Sequence, residues 1–122
     1  MKKPKIMIVD DDNLILEISG DLFANAGYEV LKRNMGIGTA VAVMNEQPDC
    51  VLLDVNMPGI SGDMIVPLIK NNNEKEIKVF FHSNQDDLAL KKLAQETGAD
   101  GFFRKSGNWN GLLTMVQRAI GD

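Results

Sequence analysis

A repeated alternation of two patterns constrains the fold of this chain more than any other feature of its sequence. Five short apolar runs alternate with five longer segments of helical periodicity, and the runs are residues 6–9, 28–31, 50–53, 79–81 and 101–103. Apart from Glu29, the runs are apolar at every position, which is typical of strands that helices cover on both faces. Strands connected through helices run parallel, so the sequence predicts an open, doubly wound α/β sheet.

The segments between the runs predict five helices. Their bounds are residues 13–26, residues 39–46, a third helix from its N-cap Ser61 to residues 71–73, residues 85–97 and residues 108–120. Apolar residues recur at steps of three and four, at Leu14, Ile15, Ile18, Leu22 and Ala26 in the first helix and at Met64, Ile65, Leu68 and Ile69 in the third. The fifth helix repeats this spacing at Trp109, Leu112, Leu113, Val116 and Ile120. We expect the stripes of the third and fifth helices to face the core.

Composition and charge exclude several classes of function. At 122 residues the chain suits a single domain over residues 1–122, and its net charge of −4 gives no reason to expect direct nucleic-acid binding. No apolar stretch approaches the ~20 residues of a membrane span, and the first apolar run is too short for a signal peptide. Cys50 is the only cysteine, which excludes an internal disulfide and fits a reducing compartment. We therefore expect a cytoplasmic domain without membrane insertion.

Polar side chains follow four of the five predicted strands at the point where each strand ends. Three aspartates, Asp10 to Asp12, follow the first strand, and the others are Asp54 after the third, Ser83 after the fourth and Lys105 after the fifth. Sites in open α/β sheets lie beyond the carboxyl ends of the strands, so we expect these side chains to converge. Carboxylates that converge with one hydroxyl and one ammonium form a chemically coherent set, and the acidic run fits a site for a cation.

The sequence resembles the receiver domain of bacterial two-component response regulators, the CheY-like family. The matching segments are V9-D10-D11 after the first strand, L53-D54-V55-N56-M57-P58-G59 after the third, Ser83 at the end of the fourth, and G98-A99-D100 with Lys105 around the fifth. They occur in order over essentially the whole chain. The resemblance implies a five-stranded parallel sheet in the order 2-1-3-4-5, flanked by five helices in a flavodoxin-like arrangement.

The resemblance also implies a role for each matching residue. Asp54 would accept a phosphoryl group from a histidine kinase or a phosphotransfer protein. Asp10 and Asp11 would hold Mg²⁺ together with Asp54 and the backbone carbonyl of Asn56, and hard oxygen ligands of this kind suit Mg²⁺. The phosphoryl oxygens would be contacted by Lys105 and Ser83.

With these roles the domain would be a phosphorylation-dependent switch and not an enzyme, because it would catalyse only its own phosphorylation and dephosphorylation. It would act on an output protein or domain through the face of helix four, strand five and helix five. Because only two residues follow the last predicted helix, we expect no output domain within this chain.

Three positions depart from the family pattern. Ser106 follows Lys105 where a proline, often in a cis bond, is usual, so this peptide is expected to be either strained or trans. Asn84 stands where a small residue is common, and we expect its bulk to narrow access to Asp54 and to slow phosphoryl entry or loss. Phe102 replaces a frequent tyrosine, so it offers no hydroxyl to a partner.

Two neighbours of the matching residues have structural interpretations. Asp12, with Asn13, is expected to cap the first helix, where its charge favours the exposed N–H groups. His82 alternates with Ser83 along the fourth strand, so its side chain is expected on the opposite face, as a hydrogen-bonded residue of the core.

Three other functions remain open from the sequence. A receiver-like adaptor that binds a partner without phosphorylation is the main alternative, and the departures at Asn84 and Ser106 give it weight. A flavodoxin-like electron carrier needs a Ser/Thr-rich phosphate loop where this chain has three aspartates, which would repel a flavin phosphate. A haloacid-dehalogenase-type phosphatase would use the D-x-D pattern of Asp10 and Asp12, but this leaves Asp54 and the M57-P58-G59 loop unexplained.

Overall fold

The computed structural model describes residues 3–121, so residues 1, 2 and 122 of the predicted domain lie outside the described part. The strands are β1 (Lys5–Val9), β2 (Glu29–Arg33), β3 (Cys50–Leu53), β4 (Lys78–Ser83) and β5 (Gly101–Arg104). The helices are α1 (Asn13–Asn25), α2 (Thr39–Glu46), α3 (Gly62–Asn71), α4 (Asp87–Thr97) and α5 (Trp109–Ile120). None of these helices is long and apolar enough to cross a bilayer.

The five strands form one sheet in the order β2-β1-β3-β4-β5, and every neighbouring pair is parallel. This arrangement confirms the predicted doubly wound α/β fold and its strand order. The bounds of β2 differ from the predicted run because the N–H of Tyr28 donates to the carbonyl of Phe23 at 3.0 Å. The ring of Tyr28 also packs edge-to-face on Phe23, with centroids 5.2 Å apart, so Tyr28 closes the end of α1 instead of opening the strand.

The core lies on both faces of the sheet, as the continuous apolar runs predict. Alternation along β1 directs Ile6 and Ile8 into one cluster with residues of α1 and α5, such as Phe23 and Leu112. Met7 and Val9 face the opposite cluster, which residues of α2, α3 and α4 complete, among them Val43, Ile65, Ile69 and Leu90. The central strands are therefore buried between two helical layers.

The apolar spacing of α1 and α3 is wider than the face that each helix buries. In α1, Leu14 is exposed, whereas Leu16 and Phe23 are buried against the sheet. In α3, the predicted stripe is right for Ile65 and Ile69 and wrong for the exposed Met64 and Leu68. These helices have more apolar residues than the sheet can cover. The apolar side chains at the margin of the stripe are therefore exposed to solvent. The stripe of α5 does lie against the core.

Side chains cap the helices that follow β1, β4 and β5. Asp12 Oδ1 accepts a hydrogen bond from the N–H of Leu14 at 2.9 Å, as predicted for the cap of α1. Asp86 Oδ1 accepts from the N–H of Ala89 at 2.8 Å, which places the start of α4 two residues later than predicted. Asn108 Oδ1 accepts from the N–H of Gly111 at 3.1 Å, and α5 begins at the next residue. Each cap satisfies an N–H that has no partner within its helix.

His82 lies in the core on the side of β4 that faces α5. Its ring packs edge-to-face on Trp109, with centroids 5.4 Å apart and planes at 70°. Burial, together with the nearby charge of Lys105, lowers the pKa of His82 to about 4. The expectation that this histidine belongs to the core is therefore confirmed, but its imidazole makes no hydrogen bond to any of residues 3–121, so the expected hydrogen bond is not found.

The buried imidazole makes folding sensitive to acid. Because the pKa of His82 is depressed when the chain is folded, its contribution to stability is present above pH 6.5 and is lost as the pH falls through about 4. We expect the free energy of unfolding of the wild type to fall between pH 7 and pH 4 by about 3 kcal/mol more than that of His82→Gln. Urea unfolding at both pH values measures the difference. Equal pH dependence of the two proteins would contradict the burial of a neutral imidazole.

Candidate functional site

Three backbone hydrogen bonds place three charged side chains at one edge of the sheet. The N–H of Asp10 donates to the carbonyl of Arg33 at 3.0 Å, and that of Asp54 donates to the carbonyl of Val9 at 2.9 Å. At the ends of β4 and β5, the N–H of Lys105 donates to the carbonyl of Ser83 at 2.8 Å. Asp10 and Asp54 therefore each extend the ladder one residue beyond a buried strand, and the side chains meet where the strands end.

Lys105 lies between two buried carboxylates. Its Nζ atom is 2.7 Å from Asp10 Oδ2 and 3.4 Å from Asp54 Oδ2. The other oxygen of Asp10 accepts a hydrogen bond from the N–H of Asp12 at 3.0 Å, which orients the carboxylate toward the site. The structure thus brings together Asp10, Asp54 and Lys105, as the sequence predicts.

The electrostatics of the site disfavour a full set of ionised carboxylates. Burial raises the pKa of Asp54 to about 6, the negative charge of Asp10 adds to this effect, and Lys105 opposes it. Burial acts to lower the pKa of Lys105, but its hydrogen bond to Asp10 and the charge of Asp54 outweigh that effect and raise the pKa. The ammonium therefore stays protonated and offsets only part of the negative charge.

The donor atoms fit a divalent cation. One carboxylate oxygen from each of Asp10, Asp11 and Asp54 lies within 4.8 Å of the other two, and Asp11 is exposed at the mouth of the site. When ionised, these three acids and Lys105 have a formal charge of −2. Hard oxygen donors with this charge suit Mg²⁺, which takes few protein ligands and keeps several waters.

The remaining predicted site residues lie around this cluster. Ser83 is fully buried at the end of β4, and its Oγ accepts a hydrogen bond from the N–H of Gln85 at 3.3 Å. Asn56 is exposed in the β3–α3 loop two residues beyond Asp54, and Asn84 is exposed beside Ser83. No peptide bond within residues 3–121 is cis, so Ser106 follows Lys105 through a trans bond.

Gly62 is a site residue that the sequence analysis missed. Its N–H donates to the carbonyl of Val55 at 2.8 Å, and a β-carbon at this position would collide with the carbonyl oxygen of Asp54. The first turn of α3 therefore passes directly against the backbone of the central acid. The sequence signal was a glycine immediately after the N-cap Ser61, where a helix has no need of one.

The comparisons with known proteins agree with this geometry. The family model described as the response regulator receiver domain matches residues 6–117. The chain belongs to this family. The Bacillus subtilis sporulation initiation phosphotransferase F is 32% identical to this receiver domain over 120 residues, which cover 98% of the chain and 96% of that protein. Chemotaxis response regulator CheY4 of Vibrio cholerae has a similar structure, with a TM-score of 0.87 at 25% identity over 96% of this chain and 98% of that one.

Some relatives are much longer than this receiver domain. A Thermotoga maritima cyclic di-GMP phosphodiesterase is 31% identical over 115 residues, which are 94% of this chain and 30% of that protein. The chain therefore spans less than a third of that relative.

The raised pKa of Asp54 predicts the effect of removing its charge. A carboxyl group whose pKa is higher in the folded state than in the unfolded state lowers stability as the pH rises through the folded value of about 6. Without metal at pH 7.5, we expect Asp54→Asn to be more stable than the wild type. Its free energy of unfolding should be larger by about 1–2 kcal/mol, after allowance for screening by solvent. The difference should vanish near pH 4, and Mg²⁺ should stabilise the wild type more than the variant.

Urea unfolding with EDTA and with Mg²⁺ tests this expectation. Asp21→Asn, which removes an exposed acid from α1, is the matched control. It should change neither the free energy of unfolding without metal nor the stabilisation by Mg²⁺. A less stable Asp54→Asn at pH 7.5 without metal would show that the carboxylates do not oppose folding.

Asp11 and Asp12, which follow each other after β1, have different roles that substitution can separate. Asp11→Ala should abolish Mg²⁺ binding because it removes one of the three clustered carboxylates. Asp12→Ala should retain Mg²⁺ binding, since only its backbone N–H contacts Asp10, but should lose about 1 kcal/mol of stability with the helix cap. Calorimetric titration with Mg²⁺ and urea unfolding measure the two effects. An equal loss of Mg²⁺ affinity in both variants would refute this division.

Proposed function

We propose that this receiver domain is a phosphorylation-dependent signalling switch whose phosphoacceptor is Asp54. The observation that supports the proposal best is the position of Asp54, a buried carboxylate flanked by two further acids and by Lys105 at the carboxyl edge of the sheet. A full-length relative named as a phosphotransferase agrees with the transfer of phosphoryl groups. The donor would be a histidine kinase or a phosphotransfer protein.

The proposed reaction is a displacement at phosphorus. A carboxylate oxygen of Asp54 attacks the phosphorus atom of a phosphohistidine, and a P–O bond forms as the P–N bond breaks. The electron pair of the broken bond stays on the imidazole nitrogen of the donor, which takes up a proton. A pKa of about 6 leaves most Asp54 ionised at neutral pH, so the nucleophile is available.

The surrounding residues would position the phosphoryl group and balance its charge. Lys105 reaches Asp54 Oδ2 at 3.4 Å, so its ammonium can pair with a phosphoryl oxygen bound to that carboxylate. Asp10, Asp11, Asp54 and the backbone carbonyl of Asn56 would hold Mg²⁺. When bound, this ion neutralises charge on the phosphoryl oxygens.

The response to phosphorylation would be a shift between two conformations of the domain. The hydroxyl of Ser83 would donate to the phosphoryl group in place of accepting from Gln85, and Phe102 on the neighbouring strand β5 would adjust its packing. An output protein or domain that binds the altered face of α4, β5 and α5 more tightly would draw the population toward that conformation. The domain would catalyse no reaction other than its own phosphorylation and dephosphorylation.

Phosphorylation by a small donor tests the proposal directly. We expect incubation with acetyl phosphate and Mg²⁺ to add one phosphoryl group to the wild type, measured by intact mass spectrometry. The adduct should be absent in Asp54→Asn and should be lost on treatment with hydroxylamine, because an acyl phosphate reacts with this nucleophile. EDTA should prevent its formation.

Asp63→Asn is a suitable control, since Asp63 lies in the first turn of α3 but outside the carboxylate cluster. This variant should be phosphorylated like the wild type. A stable adduct, or an adduct that persists in Asp54→Asn, would overturn the assignment of Asp54. No adduct with acetyl phosphate or with a kinase donor would favour an adaptor that works without phosphorylation.

A further inference from the structure

Five large apolar side chains are exposed on α2, on α3 and in the loop before α2. Their exposed fractions lie between 44% and 61%, and they are Ile37, Val41, Met44, Met64 and Leu68. The core does not need them, because Val43 of α2 and Ile65 and Ile69 of α3 already face the sheet.

Contacts of Lys70 indicate the side of α3 on which Met64 and Leu68 lie. Lys70 Nζ donates to the carbonyl of Ile77 at 2.9 Å and to the carboxylate of Asp100 at 2.6 Å. This flank of α3 therefore faces the α3–β4 and α4–β5 loops. Leu68 is two residues before Lys70, which is about 200° around the helix, and Met64 lies one turn before Leu68. Both side chains consequently occupy the opposite flank, toward α2.

Two contacts join the segments that flank α2 to those that flank α3. At one end, Ile37 lies against Gly59, where a β-carbon would come within 2.6 Å of Ile37 Cδ1. At the other end, Gln47 Nε2 donates to Asn73 Oδ1 at 2.8 Å. Val41 and Met44 are exposed on α2 between these two contacts, and we call the surface of the five exposed side chains the α2–α3 groove.

Charged groups lie at the two ends of the α2–α3 groove, where Arg33 Nη2 donates to the carbonyl of Ile37 at 2.9 Å and Lys75 Nζ donates to the carbonyl of Gln47 at 2.9 Å. The sequence has no lysine or arginine between Arg33 and Lys70, and its acids in that interval are Glu46, Asp49, Asp54 and Asp63. Lysines from outside the interval lie within 4.0 Å of the first three of these acids, and Asp63 lies on the flank of α3 that carries Lys70. The flanking polar residues Asn45 and Asn72 are neutral. The apolar side chains between these two ends can therefore meet those of a second copy without repulsion between like charges.

We propose that the α2–α3 groove is the interface of a symmetric dimer formed with a second copy of this chain. A half-exposed side chain of this size has about 100 Å² of solvent-accessible apolar surface, so the five together have roughly 500 Å². This area is as large as the largest apolar patch on a typical monomer. A two-fold interface uses the patch twice and buries roughly 1,000 Å² before its polar rim is counted, which is enough for a specific contact.

The composition of the groove suits self-association. In a two-fold dimer the same residues come from both copies, so an uncharged apolar surface is complementary to itself. Met44 and Met64 have flexible side chains that adapt to an opposing surface. The interface lies outside the face of α4, β5 and α5, so a dimer would leave that face open to an output partner.

Sedimentation equilibrium with charged variants tests the dimer. We expect the wild type to dimerise reversibly and Met64→Lys to raise the dimer dissociation constant at least tenfold, since a buried lysine at a two-fold interface meets its own copy nearby. Met64→Glu alone should have the same effect. An equimolar mixture of the two variants should recover association, because opposite charges then face each other. Far-UV circular dichroism and the urea midpoint establish that each variant is folded.

Leu88→Lys is the matched control, because Leu88 is 80% exposed on α4 and lies outside the groove. Its dimer dissociation constant should equal that of the wild type. The proposal is overturned by a wild type that stays monomeric up to hundreds of micromolar. The groove would then be a binding surface for a different protein and not for a second copy. The proposal is also overturned if Leu88→Lys weakens the dimer as much as Met64→Lys, or if the two charged variants of Met64 fail to associate when mixed.

Discussion

The burial of two carboxyl groups at the end of apolar strands is the constraint on which the rest of this site depends. Asp10 and Asp54 follow strands whose own residues are almost fully buried, so the two side chains have little water to solvate their charge. Lys105 compensates part of this cost because its ammonium contacts both carboxylates. The compensation is incomplete, and the raised pKa of Asp54 is the result. A site with this charge imbalance favours the binding of a cation.

The sequence predicts the fold and the position of the site well because both depend on the same regularity. Five buried apolar runs separated by helices permit few arrangements other than a parallel sheet, and a parallel sheet places the residues after each strand at one edge. Asp10, Asp54 and Lys105 therefore converge even though 44 residues separate the first two and 51 the last two. The cap by Asp12 was predictable for a similar reason, since a side-chain acceptor directly before a helix satisfies a local need of the backbone.

Features that depend on tertiary contacts were not predictable in this way. Periodicity alone did not show that Met64 and Leu68 lie outside the core, because the stripe of α3 is wider than the surface it buries. Gly62 was missed because its requirement arises from the carbonyl of Asp54, a contact between a helix start and a strand end. For the bond between Lys105 and Ser106 the sequence left a strained cis form and a trans form open, and the structure has the trans form that non-proline peptides prefer.

The β3–α3 loop joins the carboxylate site to the α2–α3 groove. This loop begins at the backbone of Asp54, and its Gly59 lies against Ile37 at the border of the groove. A β-carbon on Gly36 would also come within 2.7 Å of the carbonyl of Ile60, so this loop and the β2–α2 loop are in close contact. Packed segments of this kind move together, and a change of loop conformation at Asp54 would alter the border of the groove. Linkage then requires reciprocity: if phosphorylation changed the dimer association constant by some factor, dimerisation would change the equilibrium constant for phosphorylation by the same factor.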